Sequence, residues 1–181
     1  MRDAVIARTR RWLDEAVIGL NLCPFAAPVL AAGRIRFAVS EATDLESAVR
    51  DALGEAVQLL DTPTDEVSTT LVIVPDALGD FDEFLDAVEA LEEVLSEGGA
   101  DGVLQVATFH PDYRFAGEDA DGLSHFTNRA PHPILHLLRE DEVAVATEQH
   151  PDSAGIPAAN IARLEAMGAD SLRQMWATLK Q

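Results

Sequence analysis

Two histidines and one aspartate in the second half of the chain have the composition of a metal site. His110 and Asp112 are two residues apart, and His136 follows later in the same segment. Two imidazoles and one carboxylate can hold a divalent transition metal on one face and leave coordination positions open. So short a pattern also arises by chance, in which case Asp112 starts a turn and His136 lies at the surface. The leading expectation is that the three side chains converge in one polar pocket.

A cysteine suggests a second chemistry. Cys23, the only cysteine, follows an amphipathic helical pattern within the stretch GLNLCPFA. A thiolate forms at neutral pH beside a cation or a helix N-terminus, whereas this residue stands at the C-terminal end of a helix. A histidine from elsewhere in the fold could act as its base, since nucleophile and base need only meet in space. The alternative is a small buried side chain packed beside Phe25.

An arginine and an asparagine near the same histidines suggest binding of an anion. Asn128 and Arg129 directly precede a Pro-His-Pro sequence, and the planar guanidinium suits a carboxylate or a phosphate. Arg114 is a further candidate for substrate binding. The alternative for Arg129 is an ion pair with an acidic neighbour, Asp119 or Asp121.

The positions of these residues follow from a predicted strand at 103–109. That run is rich in β-branched and aromatic residues, and it ends at His110 because Pro111 cannot continue a sheet ladder. The ends of strands are where α/β proteins bind ligands. The candidate catalytic residues are those at this strand end, together with the cysteine: His110, Asp112, Tyr113 and Cys23.

The segment ILHLLRE, residues 134–140, is predicted to form a short helix with Pro133 as its first residue. At about 100° per residue, the isoleucine and the leucines of this segment share one arc, and His136 points nearly opposite. Packing in a core therefore does not explain this histidine. The long loop 111–132 is either functional or poorly ordered, and it can bring His136 back over the end of the strand.

Periodicity predicts one α/β domain over residues 1–181. Strands are expected at 34–40, 68–74, 103–109 and 142–147, and the longer helices at about 5–20, 43–60, 80–96, 157–167 and 171–179. Their alternation gives a mixed or mostly parallel sheet of about four strands covered by helices, with the first three strands as parallel neighbours. The alternative is a ferredoxin-like α+β sandwich.

Composition and charge argue against several classes of function. The chain has 181 residues, 48% of them hydrophobic, and its 13 basic and 32 acidic residues give a formal net charge of −19. This charge disfavours a nucleic-acid backbone or an anionic membrane as a partner. The single cysteine, the lack of an apolar run long enough to span a bilayer and the charged first residues place the protein in the cytoplasm.

Three segments, GLNLCPFA, FHPDYRFAG and NRAPHPILHLLRE, occur in this order and resemble the bacterial family catalogued as domain of unknown function 1415. The resemblance covers nearly the whole chain. It implies no particular activity, cofactor or catalytic residue, so the functional expectations rest on the residues themselves. The family pattern has a tyrosine where this chain has His132, which argues against His132 as an indispensable ligand.

These observations favour a cytoplasmic enzyme that acts on a small anionic molecule at a pocket of histidine, aspartate and arginine. A divalent transition metal bound by the two histidines and the aspartate is the leading cofactor. Arg114, Asn128 and Arg129 are the expected substrate-binding residues. Two alternatives stay open: a thiol-dependent enzyme that uses Cys23 with a histidine, and a non-catalytic module that binds a ligand or a partner protein.

Overall fold

A four-stranded mixed sheet runs through the centre of the protein, with helices on both faces. The computed structural model describes residues 1–181. The strands are β1 (Ile35–Val39), β2 (Thr69–Ile73), β3 (Leu104–Phe109) and β4 (Ile134–Arg139), in the spatial order β1-β2-β4-β3. The α-helices are α1 (Arg2–Trp12), α2 (Ala26–Ala31), α3 (Leu45–Asp61), α4 (Phe81–Glu97), α5 (Glu140–Gln149), α6 (Ile156–Met167) and α7 (Ala169–Leu179), and a 3₁₀ helix spans Leu123–Thr127. The predicted α/β class with a mixed sheet is confirmed.

Two neighbouring segments have the opposite secondary structure from that predicted. Residues 134–139 form β4 and not a helix, and the predicted strand at 142–147 lies within α5. The apolar residues of β4 fit one arc of a helix and also a strand buried on both faces, which periodicity cannot separate in so short a run. The space between β2 and β3 decides the outcome, because there β4 gains hydrogen-bonding partners along both edges. In α5, three acidic residues in the first turn interact favourably with the helix dipole.

The strand directions agree with the prediction, but one neighbour relation does not. β1 and β2 are parallel neighbours. β3 runs in the same direction, but β4 lies between β2 and β3 and is antiparallel to both, so the predicted contact between β2 and β3 is wrong. The register places His136 beside Leu71 on one side and Ala107 on the other. This register fixes the face of the sheet to which the imidazole points.

The two faces of the sheet bury separate hydrophobic clusters. Helices α3 and α4 cover one face, where Leu135 and Leu137 pack with Phe84. On the other face Ile134 packs with Trp12 and with apolar residues of α6 and α7. Side chains alternate between faces along a strand, so successive residues of β4 belong to different clusters. No helix of the protein combines the length and the apolar character needed to cross a membrane.

The first helix ends where the sequence predicts. α1 continues as a π-helical segment over Leu13–Ile18, and the chain then reverses at Asn21, whose φ of 48° lies in the left-handed region. Helix α6 closes this end, because the Asn160 side chain donates to the Leu22 carbonyl at 2.7 Å. Cys23 thus follows a helix end that is tied to α6.

Arg139, the last residue of β4, ties the sheet to the end of α3. Its side chain is buried, and Nη2 lies within hydrogen-bond distance of three carbonyl oxygens, those of Leu59 (2.5 Å), Thr62 (2.6 Å) and Val67 (3.4 Å). The Leu59 carbonyl also accepts the N–H of Thr62 at 3.2 Å, whereas the guanidinium is the donor to the carbonyls of Thr62 and Val67, which lie beyond the last turn of α3. The role of Arg139 is structural.

Candidate functional site

His110 is completely buried at the end of β3 and belongs to the core. Its ring lies 5.2 Å from the ring of Phe81 and 5.0 Å from that of Phe84, both in α4. Nδ1 accepts the backbone N–H of Asp112 at 3.0 Å, so Nε2 carries the proton and donates to the Leu78 carbonyl at 3.0 Å. Burial lowers the pKa of His110 and keeps the ring neutral. With both nitrogens occupied, the ring has no lone pair for a metal.

The His-Pro-Asp sequence that suggested a ligand group is a local backbone motif. It occurs at 110–112 and again at 150–152. In both places the aspartate N–H donates to Nδ1 of the histidine two residues earlier, at 3.0 Å and 3.2 Å. The motif follows a strand in the first case and a helix in the second. The spacing of histidine and aspartate therefore stabilises a local turn of the backbone, through the hydrogen bond between the aspartate N–H and the imidazole.

His136 lies on the opposite face of the sheet from the His110 ring. Its Nε2 is 2.7 Å from Thr69 Oγ1, and that hydroxyl donates to the Leu137 carbonyl at 2.6 Å. Because the hydroxyl proton is used, Nε2 of His136 is the donor of the shared hydrogen bond. Burial lowers the pKa of His136 to about 4. The ring is neutral at physiological pH.

The predicted metal group does not assemble. His110 packs against α4, His136 lies near Phe109 on the other side of the sheet, and Asp112 is exposed beside Lys180, at 3.7 Å. No group of three or more histidine, cysteine, aspartate or glutamate side chains is placed to share a metal ion. The predicted convergence is wrong because it depended on a helical 134–140, whereas β4 directs His136 to the far face.

The surroundings of Cys23 disfavour a thiolate. Its side chain is partly buried against the hydrophobic cluster that includes α1. Burial raises the pKa of the thiol, and the backbone N–H groups of Phe25 and Ala26 offset this only in part. A nucleophilic cysteine needs a shift in the opposite direction. The geometry favours the packing alternative over a thiol-dependent enzyme.

Tyr113 and Arg114 lie against α4. The Tyr113 ring is 5.2 Å from the Phe81 ring. The exposed guanidinium of Arg114 lies over the same Phe81 ring at 5.5 Å and is 3.7 Å from Asp82. Arg114 lines an open cleft of about 440 Å³ to which Arg129 does not contribute. The structure thus separates two of the predicted substrate-binding residues.

A histidine that the sequence did not single out organises the loop after β3. His125 is buried, its Nδ1 accepts the N–H of Phe115 at 3.2 Å, and Nε2 donates to the Asp119 carbonyl at 2.8 Å. His110 uses its two nitrogens in the same way. No spacing in the sequence marks this role, because both partners are backbone groups.

Asn128 fixes the chain where it returns to the sheet. Its side-chain amide donates to the Thr108 carbonyl at 3.0 Å, and its own carbonyl accepts the N–H of His110 at 3.1 Å. The amide that we expected to bind substrate is therefore used by the fold. It sets the position of the next residue, Arg129.

Arg129 has no acidic partner. Its guanidinium lies 4.2 Å above the ring of Phe126, and its Nε is buried without a hydrogen-bond partner. No ion pair of the protein includes it, so the alternative of pairing with an acidic neighbour is not found. Burial lowers the pKa of Arg129; the Asp112 carboxylate opposes this shift, and the charge of Arg173 adds to it. The side chain is a cation held partly out of water with no counter-charge in ion-pair contact.

The last helix supplies the surroundings of Arg129. Arg173, Trp176 and Lys180 are three and four residues apart and therefore share one face of α7. The Trp176 ring meets the Phe126 ring edge-on at 5.4 Å, and its indole Nε1 is buried without a partner. Lys180 pairs with Asp112 at 3.7 Å. We call this group the Arg129 cluster; its members are Arg129, Arg173, Trp176, Lys180 and Asp112.

The sequence predicts helix α7 but not its contribution to a site. The contact joins α7 to the loop before β4, and no short-range pattern reports a meeting of two such distant segments. The one available signal is the spacing that places Arg173 and Lys180 on the same face as Trp176. In a chain with 13 basic and 32 acidic residues, basic residues gathered on one face are the feature to notice.

The Arg129 cluster has the groups to bind an anion. Two buried N–H donors, Arg129 Nε and Trp176 Nε1, lack acceptors, and the oxygens of a carboxylate or phosphate are the acceptors that a guanidinium prefers. Arg173 is 3.9 Å from the exposed Asp170, and a surface pair of this kind is weak enough to be exchanged. The cluster contains no histidine, cysteine or serine that would act as a base or a nucleophile.

Comparisons with known proteins bear on the whole chain. Neither the curated proteins nor the solved structures give a match. A family model with the description "Protein of unknown function (DUF1415)" matches residues 4–174. Arg129 and Arg173 fall inside the matched residues, and Trp176 and Lys180 lie just beyond them. Because the match spans nearly all of the chain, the protein belongs to the DUF1415 family.

Proposed function

We propose that the protein binds a small anionic molecule, through a carboxylate or a phosphate group, at the Arg129 cluster. The observation that carries this proposal is the partly buried Arg129 guanidinium, which has no acceptor for Nε and no ion-pair partner. The chain has 32 acidic residues, so carboxylates are abundant. An anion from outside the protein would supply the missing charge and the missing acceptors together.

The energetics of burial support the same conclusion. The Nε–H of Arg129 is buried without an acceptor, and an unsatisfied buried donor costs about 1–3 kcal/mol. The Phe126 ring beneath Arg129 returns part of this through a cation–π contact of about 1 kcal/mol. The rest of this cost is not offset within the protein. Unsatisfied buried groups of this kind are typical of functional sites.

The proposal is one of binding, because most of the predicted catalytic and metal-ligating residues have roles in the fold. His110 and His136 each donate to an oxygen of the protein, and the pKa of the Cys23 thiol is raised. Asp112 is exposed and belongs to the Arg129 cluster, but there it pairs with Lys180. We place this function in the cytoplasm, where a lone cysteine stays reduced.

Calorimetric titration with inorganic phosphate and with acetate tests the proposal. We expect saturable binding of at least one of these anions to the native protein at low salt, and weaker binding as sodium chloride is added. In Arg129→Met the affinity should fall at least about tenfold, or about 1.4 kcal/mol. The matched control is Arg50→Met, because Arg50 is an exposed arginine whose ion pair, with Glu46 at 3.3 Å, lies within α3.

The control variant removes the same charge at a distance from the cluster, so its affinity should equal that of the native protein. Equal binding by native protein and Arg129→Met would place any anion site elsewhere. Absence of saturable binding of both anions would overturn the proposal as a whole.

A further inference from the structure

The outer edge of β3 carries backbone groups that β4 does not use. β3 is an edge strand of the sheet. The N–H of Glu140 donates to the Val103 carbonyl at 3.0 Å, so Val103 and Glu140 are a hydrogen-bonded pair. In an antiparallel ladder such pairs occur at every second residue, and the odd-numbered residues of β3 therefore form the hydrogen bonds to β4. The peptide groups of Leu104, Val106 and Thr108 therefore point away from β4, toward the outside of the sheet.

One end of this edge is covered by the chain itself. The Asn128 side chain donates to the Thr108 carbonyl at 3.0 Å. Beyond it, the N–H of His110 donates to the Asn128 carbonyl at 3.1 Å, and the N–H of Ala130 donates to the His110 carbonyl at 3.4 Å. The segment 128–130 thus pairs with the edge as a short strand would, and it stops at Thr108.

The rest of the edge is unpaired. The N–H of Leu104 donates to the Ala100 carbonyl at 3.0 Å. The groups without a backbone partner are the carbonyl of Leu104, both peptide groups of Val106 and the N–H of Thr108. These donors and acceptors have the spacing along the strand that an additional strand would need in order to pair with them.

A cleft of about 240 Å³ adjoins this free edge on the side of α4. Leu104 and Val106 direct their side chains to that face of the sheet. The apolar part of the lining is Leu95, Ala100, Leu104 and Val106. The acidic part is Glu92 and Asp101. An apolar cleft with an acidic rim suits a side chain with an apolar stem and a cationic head.

The opposite edge of the sheet is protected in a way that the β3 edge is not. In β1, the guanidinium of Arg36 is held by Glu55 at 2.6 Å, and Arg10 lies over the Phe37 ring at 4.2 Å. Charged residues on an edge strand discourage pairing with another chain. β3 contains no charged residue.

We infer that β3 accepts an extended segment of a partner protein as a fifth strand, and that this segment carries basic side chains. Strand addition of this kind takes its affinity from backbone hydrogen bonds and its specificity from pockets for alternate side chains. Glu92 and Asp101 select lysine or arginine for the cleft, and the net charge of −19 attracts a basic segment in general. The same charge disfavours an acidic segment and a second copy of this chain. The inference is independent of the Arg129 cluster.

Fluorescence anisotropy with a labelled synthetic peptide tests this inference. The probe is a short peptide of alternating valine and lysine, and the comparison peptide has glutamate in place of lysine. We expect saturable binding of the lysine peptide and none of the glutamate peptide. Val106→Pro removes the outward N–H and should weaken binding at least about tenfold, while proline at an outward position of an edge strand leaves the sheet intact. A thermal melt of the variant verifies that it is folded.

Charge reversal gives a second, independent readout. The double variant Glu92→Lys with Asp101→Lys should no longer bind the lysine peptide and should bind the glutamate peptide instead. Its matched control is Asp86→Lys with Glu93→Lys, two exposed positions of α4 outside the cleft, which changes the net charge equally and should preserve the native preference.

Retention of binding in folded Val106→Pro overturns the inference, as does equal binding of the two peptides. So does a concentration-dependent dimer of the native protein that Val106→Pro abolishes in sedimentation, because that result assigns the edge to a second copy of the chain.

Discussion

Arg129 and Arg139 stand close together in sequence, and each has a buried Nε without a partner and no carboxylate in ion-pair contact. The fold treats them differently. Arg139 reaches carbonyl oxygens at the end of α3, among them those of Leu59 and Thr62. At Arg129 the guanidinium lies instead over the ring of Phe126, at 4.2 Å. A buried arginine that serves the structure receives acceptors from the structure, and one that lacks them marks a place to which a ligand brings them.

The electrostatic surroundings differ in the same sense. Arg139 faces the C-terminal end of α3, which carries the negative end of the helix dipole and stabilises a cation. Arg129 faces Arg173, whose charge helps to lower the pKa of the Arg129 guanidinium. One site is complete without an anion. The other gathers three basic side chains, Arg129, Arg173 and Lys180, around a single carboxylate, that of Asp112, and an anion would balance their charge.

Replacement of Arg139 should have the largest effect. Arg139→Met keeps the apolar stem but takes the donor from the carbonyls of Thr62 and Val67, while the Leu59 carbonyl keeps only the N–H of Thr62. At about 1–3 kcal/mol for each buried unsatisfied group, we expect the free energy of unfolding to fall by about 4 kcal/mol, measured by urea denaturation. Anion affinity in the folded variant should equal that of the native protein. A loss of less than about 1 kcal/mol would show that Arg139 does not have the structural role assigned to it.

Acidification should have the next largest effect, and it alters neither arginine, since both stay charged. The pKa of His136 is lowered to about 4 in the folded protein, against about 6.5 in an unfolded chain. Below pH 6.5 the unfolded state therefore takes up a proton that the folded state does not. Stability should fall by about 3 kcal/mol as the pH decreases from about 6.5 to 4, and then level off.

Urea denaturation at a series of pH values measures this dependence, and His136→Gln should remove most of it. A smaller residual dependence is expected, because burial also lowers the pKa values of His110 and His132. An unchanged slope in His136→Gln would show that the buried imidazole on β4 is not the group that titrates.

Arg129→Lys should have the smallest effect and gives the sharpest distinction. Lysine keeps the charge but lacks the planar fork, and its ammonium can extend into water. Affinity for the anion should fall by about 1 kcal/mol, or several-fold, with a change in unfolding free energy below about 0.5 kcal/mol. Calorimetry and thermal melts measure the two quantities. A fall in melting temperature like that of Arg139→Met, with anion binding intact, would show that Arg129 stabilises the fold as Arg139 does and does not bind the anion.

The sequence predicts the elements whose patterns have a single interpretation. The alternation in β1 and the long amphipathic runs of α3 and α4 locate these elements correctly, and Pro111 correctly marks the end of β3. Residues 134–139 are different, because the leucines there satisfy two periods at once. Only the vacant position between β2 and β3 resolves the choice, and that position exists only in the assembled sheet.

The sequence predicts the candidate site where the function of a side chain depends on its chemical type alone, and not where it depends on distant neighbours. The guanidinium of Arg129 suggests an anion whatever surrounds it. The role of His110 depends on Leu78 and on the rings of Phe81 and Phe84, which belong to a distant segment. Its neutral, fully bonded state therefore could not be inferred from the sequence around it.

The central position of β4 has a consequence for how the protein is made. β4 is the last strand to leave the ribosome, yet β3 has no neighbour in the sheet until β4 is present. Pairs such as Thr69 with Leu138 join residues far apart in the chain, and contacts of this kind slow folding. A nascent chain that has passed Phe109 carries an apolar strand that has nothing to pair with, which exposes it to aggregation. A premature stop before Ile134 would leave β3 detached from β1 and β2, so such a truncated product should be a substrate for chaperones and proteases.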